Sequence, residues 1–431
     1  MNEYKNITLK ETFTLAVQNH KNNNLEVAKN LYNKVLKINP KFINAYNNLG
    51  VIFKELKDYP KAIDSLKKAI EIEPNYVEAY NNLGVVFQEI EEYQKAIHCF
   101  EKVITINPNL PDIQNILGIM FQNFAEYKKA IICYEKAIKI KPNFLSAHYN
   151  LGTVLTELGE YQKAISCFEK SIAIEPANLN ILHSLLKCRY ELDDQSVFLK
   201  ELDIRVKMGE INAVIGSLTS RSEIKYNIKR PNPFCNEPLN YSLKIDLTKL
   251  CDFNDVFIKG MKKILKKNIL SPQIQNLLIN GNQSADNLFL QKNYFIEKIK
   301  KIINLEIKNY RIHFKDSKEG LIKNWPTDYD IRGWLVSMKS GGKIKPHIHE
   351  FGWLSGSIYI NVPAKAKKNS GNLVLCLDNK ELEAEKVSNS KKIIDVVTGS
   401  LCLFPSSLHH YTIPFESEEE RIVLAFDMIP K

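Results

Sequence analysis

No stretch of this 431-residue chain approaches the ~18 consecutive apolar residues that a membrane-spanning helix needs. The opening residues, Met1-Asn2-Glu3-Tyr4-Lys5, lack the apolar core of a secretory leader, so the cytoplasm is the expected location. Arginine is sparse. The net charge of +10 comes from Lys spread among Glu along helical segments, which reads as solvated faces. Nucleic acid is therefore not an expected partner, because Arg dominates base and phosphate readout. A disulfide framework is missing too. Cys188, Cys235, Cys251, Cys376 and Cys402 have no paired metal spacing, and Cys99, Cys133 and Cys167 recur every 34 residues as small packing residues. A reducing compartment fits this usage. The apolar fraction of 44% is ample for buried cores, and the length suggests two or three domains of about 150 residues.

What the chain does have is a strict internal period. Gly50, Gly84, Gly118 and Gly152 are spaced by 34 residues. So are Pro40, Pro74, Pro108, Pro142 and Pro176, the column Ala28 to Ala164, and Tyr59, Tyr93, Tyr127 and Tyr161. The pattern resembles the tetratricopeptide repeat (TPR). Gly in the first helix and Ala in the second let paired helices approach closely, and Pro ends the second helix. One pair cannot bury its own apolar face, so the pairs must stack. Five repeats are expected over residues 9–178, with a divergent first repeat (Ala16 in the Gly place) and a closing helix at 179–190. Asn48, Asn82 and Asn150 share one column, interrupted by Ile116. That column resembles the asparagine ladders with which TPR grooves clamp an extended peptide backbone, since each amide offers donors and an acceptor. Polypeptide binding in the groove is the expected use, and self-association through the repeats is its competitor.

Residues 191–245 lose the period. Asp193-Asp194 and Lys229-Arg230-Pro231-Asn232-Pro233 read as a connection between domains. Helical patterns return near 252–267 and 292–309, separated by Gly281-Asn-Gln-Ser-Ala-Asp-Asn-Leu-Phe289, for which composition predicts a loop.

From Arg332 onward the pattern changes to short alternating strands. Eight are predicted, at 332–338, 344–349, 355–361, 372–377, 391–397, 400–404, 409–414 and 421–428. Turn signals such as Ser340-Gly341-Gly342 and Thr398-Gly399 separate them, and the set fits a small barrel or jelly roll. His347 and His349, two apart on a strand, project to one face. One further imidazole from a distant strand completes a facial set of three with open metal positions. His409 and His410 point to opposite faces, so only one of them can join. Arg421 opens the last strand. A guanidinium inside a barrel is costly unless it meets an anion, and its fork suits a carboxylate.

The segments His347-Ile-His-Glu-Phe-Gly-Trp-Leu-Ser-Gly-Ser-Ile-Tyr-Ile-Asn361, Gly399-Ser-Leu-Cys-Leu-Phe-Pro-Ser-Ser-Leu-His-His-Tyr-Thr-Ile-Pro414 and Arg421-Ile-Val-Leu-Ala-Phe-Asp427 resemble the double-stranded β-helix of the 2-oxoglutarate- and Fe(II)-dependent oxygenases. Within that prolyl-hydroxylase-like group they are closest to the oxygenases that follow TPR arrays in bacteria, and Gly281–Phe289 looks like that subfamily's upstream motif. The resemblance implies a multidomain α + β chain: TPR array at 9–190, connecting region at 191–245, and jelly-roll domain with flanking helices at 246–431. It puts iron ligands at His347 and His410, the latter because Pro414 keeps the family's spacing. It puts the distal carboxylate of 2-oxoglutarate on Arg421, with Tyr359 beside it at a spacing that differs from the prolyl hydroxylases. The implied activity is an Fe(II)- and 2-oxoglutarate-dependent hydroxylation using O₂, with ascorbate as a supporting reductant, on a polypeptide brought by the TPR arm.

One departure stands out. The wider family has His-x-Asp or His-x-Glu, whereas this chain places His349 in the carboxylate position. Three imidazoles leave the metal's charge uncompensated, although His₃ sites do hold catalytic metals. Glu350 is adjacent, but strand parity turns it away unless a bulge brings it in. The alternatives are a TPR adaptor with a degenerate barrel, and a cupin-like His₃ metal site that does not use 2-oxoglutarate. Arg421 argues against the second.

Overall fold

The computed structural model describes residues 8–261, 277–284, 287–291, 293–380 and 389–431. The leader reading at Met1–Lys5, the second half of the helical pattern at 252–267, and Ala285 and Asp286 lie outside these residues. The chain divides into two compact units, one ending at Leu182 and one beginning at His183.

The first unit is an all-α TPR array. Helices α1 (Leu9–Lys21), α3 (Ile43–Glu55), α5 (Val77–Glu89), α7 (Pro111–Asn123) and α9 (Leu145–Glu157) alternate with α2 (Leu25–Ile38), α4 (Tyr59–Ile72), α6 (Tyr93–Ile106), α8 (Tyr127–Ile140) and α10 (Tyr161–Ile174). Each pair closes on a left-handed residue, at Asn23, Lys57, Glu91, Ala125 and Gly159. The following N–H then reaches back to a carbonyl five residues earlier, as in Asp58 N to Phe53 O and Glu126 N to Phe121 O, both 2.8 Å. This satisfies helix-end carbonyls that would otherwise lack partners. The glycine column works by close approach. A Cβ on Gly118 would stand 2.4 Å from Cε1 of Tyr134, and Gly84 and Gly152 face Phe100 and Phe168 in the same way.

The helical period outlasts the sequence columns. Helix α11 (Leu179–Glu191), α12 (Gln195–Lys207) and α13 (Ala213–Tyr226) each start 34 residues after the corresponding earlier helix, and Asp193 and Asn227 continue the left-handed series. The segment 191–245, expected as a connection, thus holds a helix pair's second member and one further helix. The columns vanish there because Leu186, Phe198 and Glu210 stand where Gly, Ala and Pro are expected. Larger apolar residues fill the core instead, with Leu186, Tyr190, Phe198, Leu202, Val214, Ile215 and Leu218 buried together.

The rest of the second unit is built on two antiparallel sheets. Six strands run in the order β1 (Leu243–Asp246), β7 (Ser400–Pro405), β4 (Leu354–Asn361), β9 (Arg421–Pro430), β3 (Tyr329–Ile344) and β2 (Leu278–Gln283). Three run in the order β6 (Lys391–Ile394), β5 (Leu373–Cys376) and β8 (His409–Thr412). This is a jelly-roll arrangement. Alternation sorts the side chains of the large sheet. Leu424, Phe426 and Met428 of β9 join Ile296, Ile299, Ile303 and Ile307 of helix α14 (Tyr294–His313) in one core. Tyr359, Phe404 and Val423 face the small sheet, where Leu373 and Leu375 meet them.

The strand expected at 344–349 does not form. Pro346 has no N–H to offer a ladder. Only a bridge between His347 and His410 remains, with His410 N donating to His347 O at 2.9 Å. Conversely, Ser340-Gly341-Gly342 does not end a strand. These residues sit inside β3 as a bulge, Gly341 at φ +74°, where the pairing with β2 jumps from Met338 to Lys343.

The close approach at the glycine column gives a stability test. Gly118→Val should overpack against Tyr134 and cost about 1–3 kcal/mol. The urea midpoint of the repeat array should fall, and an unchanged midpoint would contradict the close approach.

Candidate functional site

His347 and His349 follow β3 on the irregular segment that Pro346 creates, and His410 lies on β8. The bridge between His347 and His410 pins the two segments together. A ligand nitrogen from each of the three rings lies within 4.8 Å of the others. Ring centroids are 4.2 Å apart for His347 and His410, 4.7 Å for His349 and His410, and 5.1 Å for His347 and His349.

The tautomers follow from the partners. His347 Nδ1 lies 2.8 Å from the carbonyl oxygen of Lys345, and His349 Nδ1 lies 2.5 Å from a carboxylate oxygen of Asp427. Both oxygens can only accept, so both Nδ1 atoms carry the proton. The lone pairs therefore sit on the Nε2 atoms, which face each other across 3.2 Å with no proton between them. His410 Nδ1 points at Leu408 O in the same sense, at a longer 3.4 Å. Burial pushes His347 down to about 4, helped by the neighbouring His349, and burial also holds His410 well below the ordinary imidazole range. Converging unprotonated nitrogens, each oriented by a hydrogen bond on its far side, are a donor set that fits a divalent transition metal.

His409 is turned away, as strand alternation predicts. It is buried, its Nδ1 has no hydrogen-bond partner among the described residues, and burial pushes it down to about 3. Glu350 is committed elsewhere, since both its carboxylate oxygens accept from Lys187 Nζ, at 2.7 and 2.9 Å.

Arg421 opens β9 and is only 2% exposed. Its Nη2 donates to Gly371 O at 3.1 Å, and its guanidinium lies 5.0 Å from the ring centroid of the buried Tyr359. Among the described residues its Nε has no hydrogen-bond partner and no carboxylate is paired with it. Burying a cation is costly unless an anion or hydrogen-bond acceptors offset it, and here Gly371 O and the Tyr359 side chain are its neighbours. Arg421 and Tyr359 line the same cavity as the three histidines, together with Gln283, Trp334 and Ser357. An anion chelating a metal on the histidines and extending to Arg421 is the ligand that this charge distribution fits.

Several residues of the site carry no signal in the sequence. Asp427 sits behind His349, and Ser355 Oγ donates to the same carboxylate oxygen at 2.8 Å. Ser406 Oγ lies 2.8 Å from Ser355 Oγ. Asp427 closes the family-like segment Arg421–Asp427, but only the tertiary fold turns its carboxylate to His349. The Gly281–Phe289 motif also acquires a role. Asn287 Oδ1 accepts from Gly333 N at 3.0 Å, and Ser284 Oγ accepts from Leu335 N at 3.0 Å, so short side chains substitute for a ladder partner along β3. Gln283 then lines the cavity. A more open groove shares Gln283, Trp334 and His349 with it, and adds Lys300, Arg332 and Phe351. Trp334 thus lines both spaces, its ring edge-on to His349 at 5.3 Å. Trp353 is core packing, with its Nε1 donating to Leu321 O at 2.9 Å.

The asparagine column of the first unit is partly occupied by its own neighbours. Asn48 donates to Tyr32 OH at 3.1 Å, Asn82 to Asn47 at 2.8 Å and Asn150 to Asn115 at 3.1 Å. Each side chain remains only half-buried. Asn150 lines a pocket with Asn115, Ser146, Tyr149 and Asn178.

Comparison with known proteins agrees with both units. The family described as "Putative 2OG-Fe(II) oxygenase" matches residues 332–427, a span that begins at Arg332 and ends at Asp427. Tetratricopeptide-repeat families match 31–64, 52–91, 77–110, 126–157 and 146–178. Among solved structures, MamA is 30% identical over 37% of this chain and 94% of its own, with a TM-score of 0.36. YrrB, described as a TPR protein with an unusual peptide-binding site, is 22% identical over 41% of this chain and 91% of its own, at 0.37. A tetratricopeptide repeat protein from Parabacteroides merdae is 14% identical over 60% of this chain and 97% of its own, at 0.39. No curated protein matches the chain.

The depressed histidines make a pH test. The unfolded chain protonates its imidazoles near 6.5, whereas folded His347 and His409 stay neutral to about 4 and about 3. Their stabilising contribution is complete above 6.5 and is lost as pH falls from there toward 4. The metal-free His409→Phe protein should therefore lose less melting temperature than wild type between pH 7 and pH 4. Parallel curves would contradict a neutral buried His409.

Proposed function

We propose that this chain, a TPR array joined to a C-terminal domain of the 2OG-Fe(II) oxygenase family, is an Fe(II)- and 2-oxoglutarate-dependent dioxygenase that hydroxylates a polypeptide recruited by its repeats. One observation carries the reading. Three unprotonated histidine nitrogens converge in the cavity that also contains a buried arginine with no carboxylate partner among the described residues.

In this reading His347, His349 and His410 hold the iron. Arg421 takes the distal carboxylate of 2-oxoglutarate, with Tyr359 beside it. When bound, iron, 2-oxoglutarate and O₂ supply the oxidation of a substrate C–H to C–OH, with succinate and CO₂ as the coproducts. The chain's own part is placement and exclusion of water. Val336, Ile344 and Leu278 wall the cavity with apolar surface, and Trp334 stands where it meets the open groove. A substrate side chain enters past Trp334 and Gln283. None of the eight cysteines forms a disulfide, in keeping with a reducing cytoplasm. Among the described residues no helix is long and apolar enough to cross a membrane.

The repeat array acts as the recruiting arm. Asn82 and Asn150 each spend one amide hydrogen within the array, which orients the remaining donor and acceptor toward a peptide backbone. Self-association through the same surface is the competing use.

Two experiments test this. Anaerobic addition of Fe(II) and 2-oxoglutarate to the full chain should give a visible charge-transfer band. It should vanish in His410→Ala and persist in His409→Ala. Arg421→Met should raise the 2-oxoglutarate concentration needed by at least about 30-fold, since truncating one partner of a buried charge pair costs roughly 2–5 kcal/mol. A band that survives His410→Ala but not His409→Ala overturns the ligand set, and no band at all favours an adaptor. For the array, Asn82→Ala combined with Asn150→Ala should weaken capture of a polypeptide partner at a temperature where circular dichroism shows the array still folded, since the lost bonds to Asn47 and Asn115 lower its melting temperature as well. Unchanged capture removes the ladder.

A further inference from the structure

The histidine set raises a question of charge. Three neutral imidazoles bring no negative charge to a dication, and the neighbouring carboxylate that could do so, Glu350, is held by Lys187. We infer that Asp427 is a positioning residue that supplies the missing negative charge through His349, one hydrogen bond behind the metal. This rests on the metal-site reading above.

The geometry is specific. Asp427 is 7% exposed. Its Oδ1 accepts from His349 Nδ1 at 2.5 Å and from Ser355 Oγ at 2.8 Å. Ser355 is directly opposite Asp427 in the β4–β9 register, so the second bond is built into the sheet. Ser355 Oγ is in turn 2.8 Å from Ser406 Oγ, and His349 N lies 3.4 Å from Ser406 O. The backbone of His349 is thereby held by the residue that follows β7 and its side chain by β9, with Ser355 of β4 bonded to both. Arg332 is opposite Asp427 on β3, yet makes no ion pair with it among the described residues. The carboxylate is left to His349.

The consequence is chemical as well as steric. A carboxylate on Nδ1–H fixes the tautomer, aims Nε2 and raises the basicity of the imidazole as a ligand. The negative charge that a direct Asp or Glu ligand would place on the metal is moved outward by the width of one imidazole ring. A carboxylate placed directly at position 349 would then sit beside Asp427, and the two would repel.

The test uses Co(II) as the probe on the full-length, metal-free protein, read by affinity and by its visible spectrum. Asp427→Asn keeps the size and an acceptor oxygen but removes the charge. It should weaken Co(II) binding about 10–100-fold and shift the spectrum, while the metal-free melting temperature stays at or above that of wild type. Ser355→Ala, which leaves the charge but frees the carboxylate to turn, should give a smaller loss. It decides the matter should Asp427→Asn fail to fold. In a His349→Asp background, Asp427→Asn should cost nothing or improve binding, because the pair is coupled. Wild-type affinity and spectrum in Asp427→Asn, or equal losses in both backgrounds, would overturn the inference. If wild type takes up no Co(II), or if His410→Ala binds it equally well, the metal centre itself fails instead.

Discussion

Strand β9 is the member of the barrel on which the site depends. It pairs with β3 along its whole length and with β4 over most of it, so its register cannot slip without breaking two ladders. That register sends Arg421, Val423, Ala425 and Asp427 to the inside and Leu424, Phe426 and Met428 to the helix-covered core. Arg421 therefore lies at one end of an interior row and Asp427 at the other. In the proposed reading the first anchors a cofactor carboxylate and the second anchors a metal ligand. A single strand thus sets the distance between two charges of opposite sign, with the histidines between them.

The cavity gathers metal-type donor atoms and a buried cation. Nε2 lone pairs face one another at 3.2 Å, and a buried guanidinium meets the Gly371 carbonyl and the Tyr359 side chain. Each feature alone costs free energy. In the proposed reading the occupant that answers both is a cation carrying a dicarboxylate. Folding of the sheet core offsets this cost, since large apolar residues crowd the helix-covered face of β9 and β4. The site is stored strain of an electrostatic kind, held by packing that does not itself take part in chemistry.

The repeat array follows a different logic. It depends on small residues meeting large ones at fixed spacing, and on a left-handed residue that closes each helix pair. Where the small residues give way to Leu186 and Phe198, the helices keep their spacing but the sequence columns disappear. Spacing is therefore the conserved physical quantity of the array and residue identity is one way to reach it.

The repeats were legible in the sequence because their contacts are local: a glycine and the aromatic ring it meets are sixteen residues apart, and the pattern recurs. Seven of the eight strands expected after residue 332 were legible from alternation, and so were the three histidines and Arg421, as residue types in a recognisable order. The strand at 344–349 was misread because alternation overlooks the missing N–H of Pro346, and the Gly341-Gly342 bulge was misread as a turn because glycine marks both. The helices at 195–226 escaped because their packing uses large residues. Only the tertiary structure decided which atoms of the site meet. Asp427 lies 78 residues from His349, Lys187 lies 163 from Glu350, and the partnerless Nε of Arg421 is a fact about surroundings that come from several strands. Sequence order carries the identity of ionisable groups. Whether a charge is paired, and with what, depends on strands brought together across long separations, and no local pattern encodes that.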